Sequence, residues 1–354
     1  MEFLTIYQNI VDIFGTGNSP VPKSLETYLG GLDFILFPVG SSVSGLSTKN
    51  YDFDFVLIFI THSSFFEFDK NIGNRVISWL SEKIKALENV ELASVILSAR
   101  VPILKFTFSE SDELTSCKKH PIELSVQHSH SIVGTWLLKL ISNKCDIFTG
   151  LVLAVKDWAK SVGVCDAKKR LLGSYAWTHL VLSFLVKRNV ISLDFVDKSK
   201  LLPIEISGSN SNKKTKLQTD IYFTENELLK LLSEYFFDNK ELLIVSDSVC
   251  LPDVNQIENF LAQKIGLTVF VSSSFDTEIL SFEHFLKFVL DTISEESTVC
   301  KVLSSRTEIN TKNPENKSKF RIEDPITGLN VASALKSVNI FEIETAIRMK
   351  LACG

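Results

Sequence analysis

Two aspartates, Asp52 and Asp54, stand on either side of Phe53 at the head of the apolar run Phe53 to Ile60. A short run rich in aromatic and β-branched residues, bounded by polar sequence, predicts a buried strand. Successive side chains of a strand point to opposite faces, so the two carboxylates share one face. Like charges side by side on an apolar strand repel each other and are costly to bury, so they require a compensating cation. Oxygen donors of this kind suit Mg²⁺.

Upstream, Phe34 to Val39 is a second compact apolar run, closed by Gly40-Ser41. Small residues at that turn let backbone N–H groups and the Ser41 hydroxyl approach phosphate oxygens. A phosphate cradle shortly before a paired-Asp strand is the apparatus expected for two-metal nucleotidyl transfer. The alternative is a glycine turn between two strands with solvated acids at a sheet edge.

The order of these residues resembles the DNA polymerase β-like nucleotidyltransferase superfamily, whose signature runs apolar, Gly, Gly or Ser, a gap, then Asp, apolar, Asp or Glu. Further stretches resemble its template-independent RNA terminal nucleotidyltransferase branch, the poly(A) polymerases of cytoplasmic type and the terminal uridylyltransferases. Arg100-Val101-Pro102-Ile103-Leu104-Lys105-Phe106 and Pro121-Ile122-Glu123-Leu124-Ser125 match the branch at its third carboxylate, with Glu123 where the branch usually has Asp. Lys156-Asp157-Trp158-Ala159-Lys160 resembles its two-lysine helix, and i, i+4 spacing puts both lysines on one face. Leu172-Gly173-Ser174-Tyr175 resembles its Ser-Tyr helix start, where Ser174 is also a plausible N-cap. Arg321 to Pro325 and Asn330-Val331-Ala332 resemble its nucleotide-recognition loop.

The resemblance implies a role for each matched residue. Asp52, Asp54 and Glu123 would hold Mg²⁺ or Mn²⁺, with Glu123 helping to deprotonate an RNA 3′-OH. Gly40, Ser41, Lys156, Lys160 and Ser174 would hold the triphosphate of an ATP or UTP substrate. Tyr175 would stack on the base, Asp324 would help to read its edge, and Thr135 and Asn330 would line the nucleotide site. Gly134 stands where the branch commonly has Asn near the ribose, which predicts weaker ribose discrimination. Leu329 replaces the His that often precedes the loop Asn in UTP-preferring members, and Thr327 replaces an alternative Glu, so adenylate addition is favoured over uridylate or mixed tailing. Glu123, Gly134 and Tyr51 also raise a reading of another class, a catalytically weak scaffold homologue.

The resemblance implies an α+β fold with two lobes and an active-site cleft between them. A nucleotidyltransferase domain with a mixed sheet is expected over 16–140. A mostly helical domain is expected over 141–354, with its poly(A)-polymerase-associated segment at about 225–345 and a helix at 1–15 packed on it. The periodicity agrees. Strand patterns at Val90–Leu97, Val101–Phe108 and Ile122–Val126 follow a helical pattern at 72–87, and from about residue 131 the spacing is helical at Ile132–Ile141, Phe148–Val162, Ser174–Arg188 and Glu225–Phe236. Stretches 207–216 and 304–319 read as loops.

Composition bounds the partners. The 354 residues carry a net charge of −5, which by itself argues against coating nucleic acid. The positive charge is local, however: residues 156–170 hold five Lys or Arg against two Asp, and residues 301–321 hold six against two Glu. Weak, salt-sensitive binding of an RNA 3′ end is expected, with a protein partner supplying RNA specificity and no separate RNA-binding module. The six cysteines show no CxxC or zinc-ligand spacing and read as reduced thiols of an intracellular protein; a cytoplasmic location is expected, with the nucleus or another intracellular compartment left open. No secretory leader and no membrane span are expected. His128 and His130 are read as part of an exposed loop after a strand rather than as ligands.

Overall fold

A computed structural model describes residues 33–48, 52–60, 70–85, 90–99, 101–110, 118–196, 222–238, 244–245, 248–249, 252–294, 299–300 and 320–353. The expected helix at 1–15, the loops 207–216 and 304–319 and most of the basic stretch 301–321 lie outside the described residues. The fold is α+β, as expected. The chain divides into two compact units, Met1–Lys139 with Thr224–Ile257, and Leu140–Phe223 with Glu258–Gly354.

In the first unit, strands β1 (Asp33–Val39), β2 (Phe53–Ile60), β3 (Val90–Ile96), β4 (Ile103–Glu110) and β5 (Lys118–Val126) form one mixed sheet in the order β1-β2-β5-β4-β3. Within this sheet β2 and β5 pair in parallel and the other neighbours pair antiparallel. A short helix, α1 (Ser41–Ser44), follows β1. Helix α2 (Lys70–Lys85) packs Val76, Ile77, Leu80 and Ile84 against Phe53, Phe55 and Leu57 of β2, Leu104, Phe106 and Phe108 of β4, and Ile122, Leu124 and Val126 of β5. Each such aliphatic side chain stabilises the unit by about 1.5–3 kcal/mol. Alternation then assigns Asp54, Lys105 and Glu123 to the opposite face of the sheet.

Two of the strand starts that differ from the sequence pattern involve proline. The pattern starts β4 at Val101, but Pro102 cannot donate to a ladder and the strand begins at Ile103. Strand β5 starts earlier than expected, at Lys118, and contains Pro121. Its pairing with β2 begins only at Ile122, so Pro121 has β4 alone beside it among the described residues, the edge-like setting in which proline is tolerated.

Helix α3 (Ser129–Lys144) follows β5, and α6 (Glu225–Asp238) joins the first unit, whereas the resemblance implies one helical domain over 141–354. Side chains far apart in sequence make the difference. Glu225 accepts hydrogen bonds from the backbone N–H and hydroxyl of Ser129, and Tyr235 packs edge-on to Trp136 with centroids 6.2 Å apart.

The second unit is built around α5 (Ser174–Lys187), in which every residue from Ala176 to Val186 is buried. Around it stand α4 (Asp146–Ser161), the antiparallel pair β6 (Ile191–Phe195) and β7 (Leu267–Val271), α7 (Phe282–Ser294) and α8 (Ser337–Cys353). Edge-to-face aromatic pairs knit this core: Trp158 with Trp177 at 5.9 Å and with Phe282 at 5.7 Å, and Phe184 with Phe285 at 5.8 Å. No helix among the described residues is long and apolar enough to cross a membrane.

Candidate active site

The sheet register builds the carboxylate row. Val39 of β1 lies opposite Asp54, Asp54 lies alongside Glu123 of β5, and Glu123 lies opposite Lys105 of β4. Burial and the neighbouring Asp52 carboxylate push the Asp54 pKa up to about 7, against a smaller opposing pull from Lys105. Glu123 forms an ion pair with Lys105. Sequence reasoning missed Lys105; its signal was a lone cation alternating with Leu104 and Phe106, and reading it needs the β4/β5 register.

The turn after β1 packs directly on this row. Gly40 has φ of 80°, and a β-carbon there would meet Asp54 Oδ2 at 2.2 Å, so only glycine fits. The Gly40 N–H donates to Thr135 Oγ1 at 2.9 Å, and that hydroxyl donates to the Ser131 carbonyl at 2.6 Å. Thr135, expected beside the ribose, is therefore buried and holds the turn in place from α3, while the Gly40 amide, expected at a phosphate, is engaged. Ser41 opens α1, and the Ser42 hydroxyl beside it is shielded from solvent with no hydrogen-bond partner. An orphaned hydroxyl at this turn is a donor suited to a phosphate oxygen, and Ser42 joins Ser41 as a candidate.

The remaining expected residues fall in the second unit. Lys156 is 5% exposed, and burial followed by the charge of Lys160 lowers its pKa to about 8. Lys160 is exposed, so i, i+4 spacing pairs their fields but not their environments. Ser174 is not the cap expected of it: Gly173 is the N-cap of α5, and Ser174 Oγ lies 3.4 Å from Cys165 Sγ.

Tyr175, Asp324 and the buried His179 form one cluster. The Tyr175 hydroxyl donates to Asp324 Oδ2 at 2.8 Å, and burial with the adjacent carboxylate raises the phenol pKa well above its ordinary value. The Tyr175 residue is nonetheless 41% exposed, which leaves part of its ring open for stacking. His179 packs on Tyr175 at 4.2 Å between ring centroids and lies 3.6 Å from Asp324 Oδ2. Burial lowers its pKa despite the carboxylate.

Asp324 was expected to read a base edge, but its Oδ2 is taken by Tyr175 and its Oδ1 by the loop itself. Oδ1 accepts from the Ile326 and Thr327 N–H groups at 3.0 and 2.8 Å and from the Thr327 hydroxyl at 2.9 Å. Asn330 is likewise internal, its Oδ1 accepting from the Ile322 and Ala332 N–H groups at 3.1 and 3.0 Å. Both side chains fix the loop and, through Asp324, the pose of Tyr175.

A divalent cation fits the first unit's donors. A half-buried carboxylate beside a second one, its pKa lifted toward neutrality, is short of positive charge, and the donors are all oxygen. Asp52 and Asp54 supply the pair. Glu123 stands in register but is drawn to Lys105, and the three carboxylates are not gathered within ligand distance of one another as His128, His130 and Glu225 are.

A Gly-Ser turn packed on the second Asp of an Asp-Phe-Asp strand, with a parallel carboxylate strand alongside, defines a nucleotidyltransferase palm. Residues 19–143 match the family model described as the central palm domain of mitochondrial-like poly(A) RNA polymerase. The chain is 32% identical over 151 residues to poly(A) RNA polymerase gld-2 of Caenorhabditis elegans, covering 42% of this chain and 13% of that protein. It is 30% identical over 152 residues to poly(A) RNA polymerase GLD2 of Homo sapiens, covering 42% of this chain and 30% of that protein. It thus spans less than a third of the length of these relatives. Its fold is similar to Cid1 poly(U) polymerase in a form bound to Mg and 3′-dATP, with a TM-score of 0.57 and 18% identity over 99% of this chain and 88% of that one. It is also similar to mtPAP in complex with GTP, with a TM-score of 0.56 and 17% identity over 99% and 66%. Residues 19–143 thus carry a palm domain of this family, and the chain as a whole shares the fold of these solved RNA polymerases.

Proposed function

We propose that the chain is a template-independent RNA 3′-end nucleotidyltransferase that transfers NMP from an NTP, with adenylate preferred to uridylate. The observation that carries this reading is the alignment of Asp54 with Glu123, with Gly40 closed on the Asp54 carboxylate. Asp52, Asp54 and Glu123 would hold Mg²⁺ or Mn²⁺, which supplies positive charge for the 3′-oxygen and the departing pyrophosphate. Glu123, held by the Lys105 ammonium, is the carboxylate toward which the 3′-OH proton moves as the oxygen bonds to the α-phosphorus and pyrophosphate leaves. Ser41 and Ser42 at the turn offer hydroxyls to phosphate oxygens, and within the second unit Lys156 and Lys160 offer two ammonium groups of one helix to a triphosphate. The exposed part of Tyr175 stacks on the base in a pose fixed by Asp324.

The adenylate preference rests on Leu329 before Asn330 and on Thr327, whose hydroxyl is spent on Asp324. The RNA end is held weakly, and a protein partner supplies its specificity. An intracellular setting is in keeping with the free thiols of Cys145, Cys165 and Cys353.

The deciding experiment is primer extension with each NTP alone and then with a mixture, in Mg²⁺ or Mn²⁺. Extension is expected with ATP foremost and none from an Asp52→Ala, Asp54→Ala chain. Wild-type extension by that double variant overturns the assignment. The Glu123–Lys105 ion pair favours a second reading, a catalytically weak homologue, and calorimetry separates the two: no heat with any NTP supports the scaffold.

A further inference from the structure

We propose that His128, His130 and Glu225 form a second metal site, a structural Zn²⁺ centre that ties the start of α3 to the start of α6. The expectation of an exposed loop at these histidines does not hold. Ser129 between them is fully buried as the first residue of α3, and both histidines are partly shielded. One ligand atom from each of His128, His130 and Glu225 lies within 4.8 Å of the others. His130 Nδ1 is 2.9 Å from Glu225 Oε2, and His130 Nε2 is shielded from solvent with no hydrogen-bond partner.

The surroundings orient these donors. The Ser129 N–H and hydroxyl both hold Glu225 Oε1, which leaves Oε2 turned to the histidines. The Ser131 hydroxyl lies 2.5 Å from His128 Nδ1 and fixes that ring. A carboxylate held by its second oxygen and an imidazole held at its other nitrogen are the outer contacts that set metal ligands. Small rotations bring three such atoms to the ~2.0–2.2 Å of Zn–N and Zn–O bonds, with water as the fourth ligand. Two imidazoles and one carboxylate select Zn²⁺ over Mg²⁺, in contrast to the all-oxygen donors of the β2/β5 row. Glu225 lies far along the chain from His128, so the centre staples two helix starts that are remote in sequence.

The test uses the full chain carrying Asp54→Asn, which weakens the carboxylate row as a competing site. Zn²⁺ is titrated against a chromophoric chelator, and Co²⁺ is added separately and read by its visible absorption. One equivalent of Zn²⁺ should bind in the presence of millimolar Mg²⁺, and Co²⁺ should give the intense visible bands of a four-coordinate ion. Adding His130→Ala or Glu225→Gln should weaken Zn²⁺ binding by ~100-fold or more. His130→Cys should restore it and add a thiolate-to-Co²⁺ band in the near ultraviolet. A folded Asp54→Asn chain that takes up no Zn²⁺ and shows no such bands overturns the proposal, as does unchanged affinity in folded His130→Ala and Glu225→Gln chains. If the alanine variant does not fold, the Co²⁺ spectrum of the chain with all three ligands intact still decides.

Discussion

The Cα of Gly40 stands so close to the Asp54 carboxylate that a β-carbon would lie 2.2 Å from Oδ2. Gly40 also has φ of 80°, a conformation that L side chains resist, so Gly40→Ala meets both a collision and backbone strain. Displacing a reacting group by about 1 Å costs on the order of 100-fold in rate, and that loss is expected in RNA extension by Gly40→Ala. Gly150 of α4 is the control, because a β-carbon added there would have nothing within 4 Å. Gly150→Ala should leave extension unchanged and raise stability by about 0.5–1 kcal/mol, measured by denaturant unfolding.

Asp54 should make the metal-free chain less stable as pH rises. With a pKa of about 7 in the fold against 3.8 when unconstrained, the folded state binds more protons between those values. Stability therefore falls from about pH 4 to about pH 7 and levels off above. Asp54→Asn should flatten that slope and raise the melting temperature most at pH 7.5, by ~2–4 °C per kcal/mol recovered, while abolishing extension. A thermal-shift series across pH, without divalent ions, measures it; an unchanged slope in the variant contradicts the account.

Lys156 should show opposite signs in folding and in catalysis. Its pKa of about 8 lies below the 10.5 of a free lysine, so the unfolded chain binds more protons between them and stability rises with pH in that window. The proposed triphosphate contact uses the ammonium form, so KM for NTP should climb above about pH 8. Lys156→Met should raise the melting temperature at pH 7 and raise KM by ~10–100-fold, the loss of one charge-assisted hydrogen bond. Steady-state kinetics beside thermal melts provide both readouts.

Tyr175 separates stacking from positioning. Tyr175→Phe keeps the ring and removes the donor to Asp324 Oδ2, which costs about 1–3 kcal/mol of stability by leaving a buried acceptor short of one bond. Tyr175→Ala also removes the stacking surface, worth about 1–3 kcal/mol per base. KM for NTP should therefore rise several-fold in the phenylalanine variant and ~10–100-fold in the alanine variant. Equal KM values in the two variants would exclude stacking.

The strands that carry the acids were legible because Phe53, Phe55 and Leu57 alternate with Asp52 and Asp54, and Ile122 and Leu124 with Glu123. Chain order also placed Lys156, Tyr175 and Asp324 in a helical second half. What alternation cannot supply is the neighbour across a ladder, so the Lys105 ion pair stayed hidden until β4 and β5 were in register. Nor does a motif say whether a side chain is already occupied. Asp324 and Asn330 match a recognition loop, yet their oxygens serve backbone N–H groups. Glu225 and His130 meet only because α6 returns to the first unit, a contact that no local spacing encodes.

The parallel pairing of β2 with β5 makes the alignment of Asp54 and Glu123 a property of the ladder, not of the length of chain between them. A slip of one residue would turn Glu123 inward among Leu80, Leu104 and Phe106 and set Leu124 in its place, a mispairing that the core itself rejects. What keeps the two acids side by side is therefore the pairing of Phe53–Leu57 with Ile122–Val126, whatever number of residues joins the two strands.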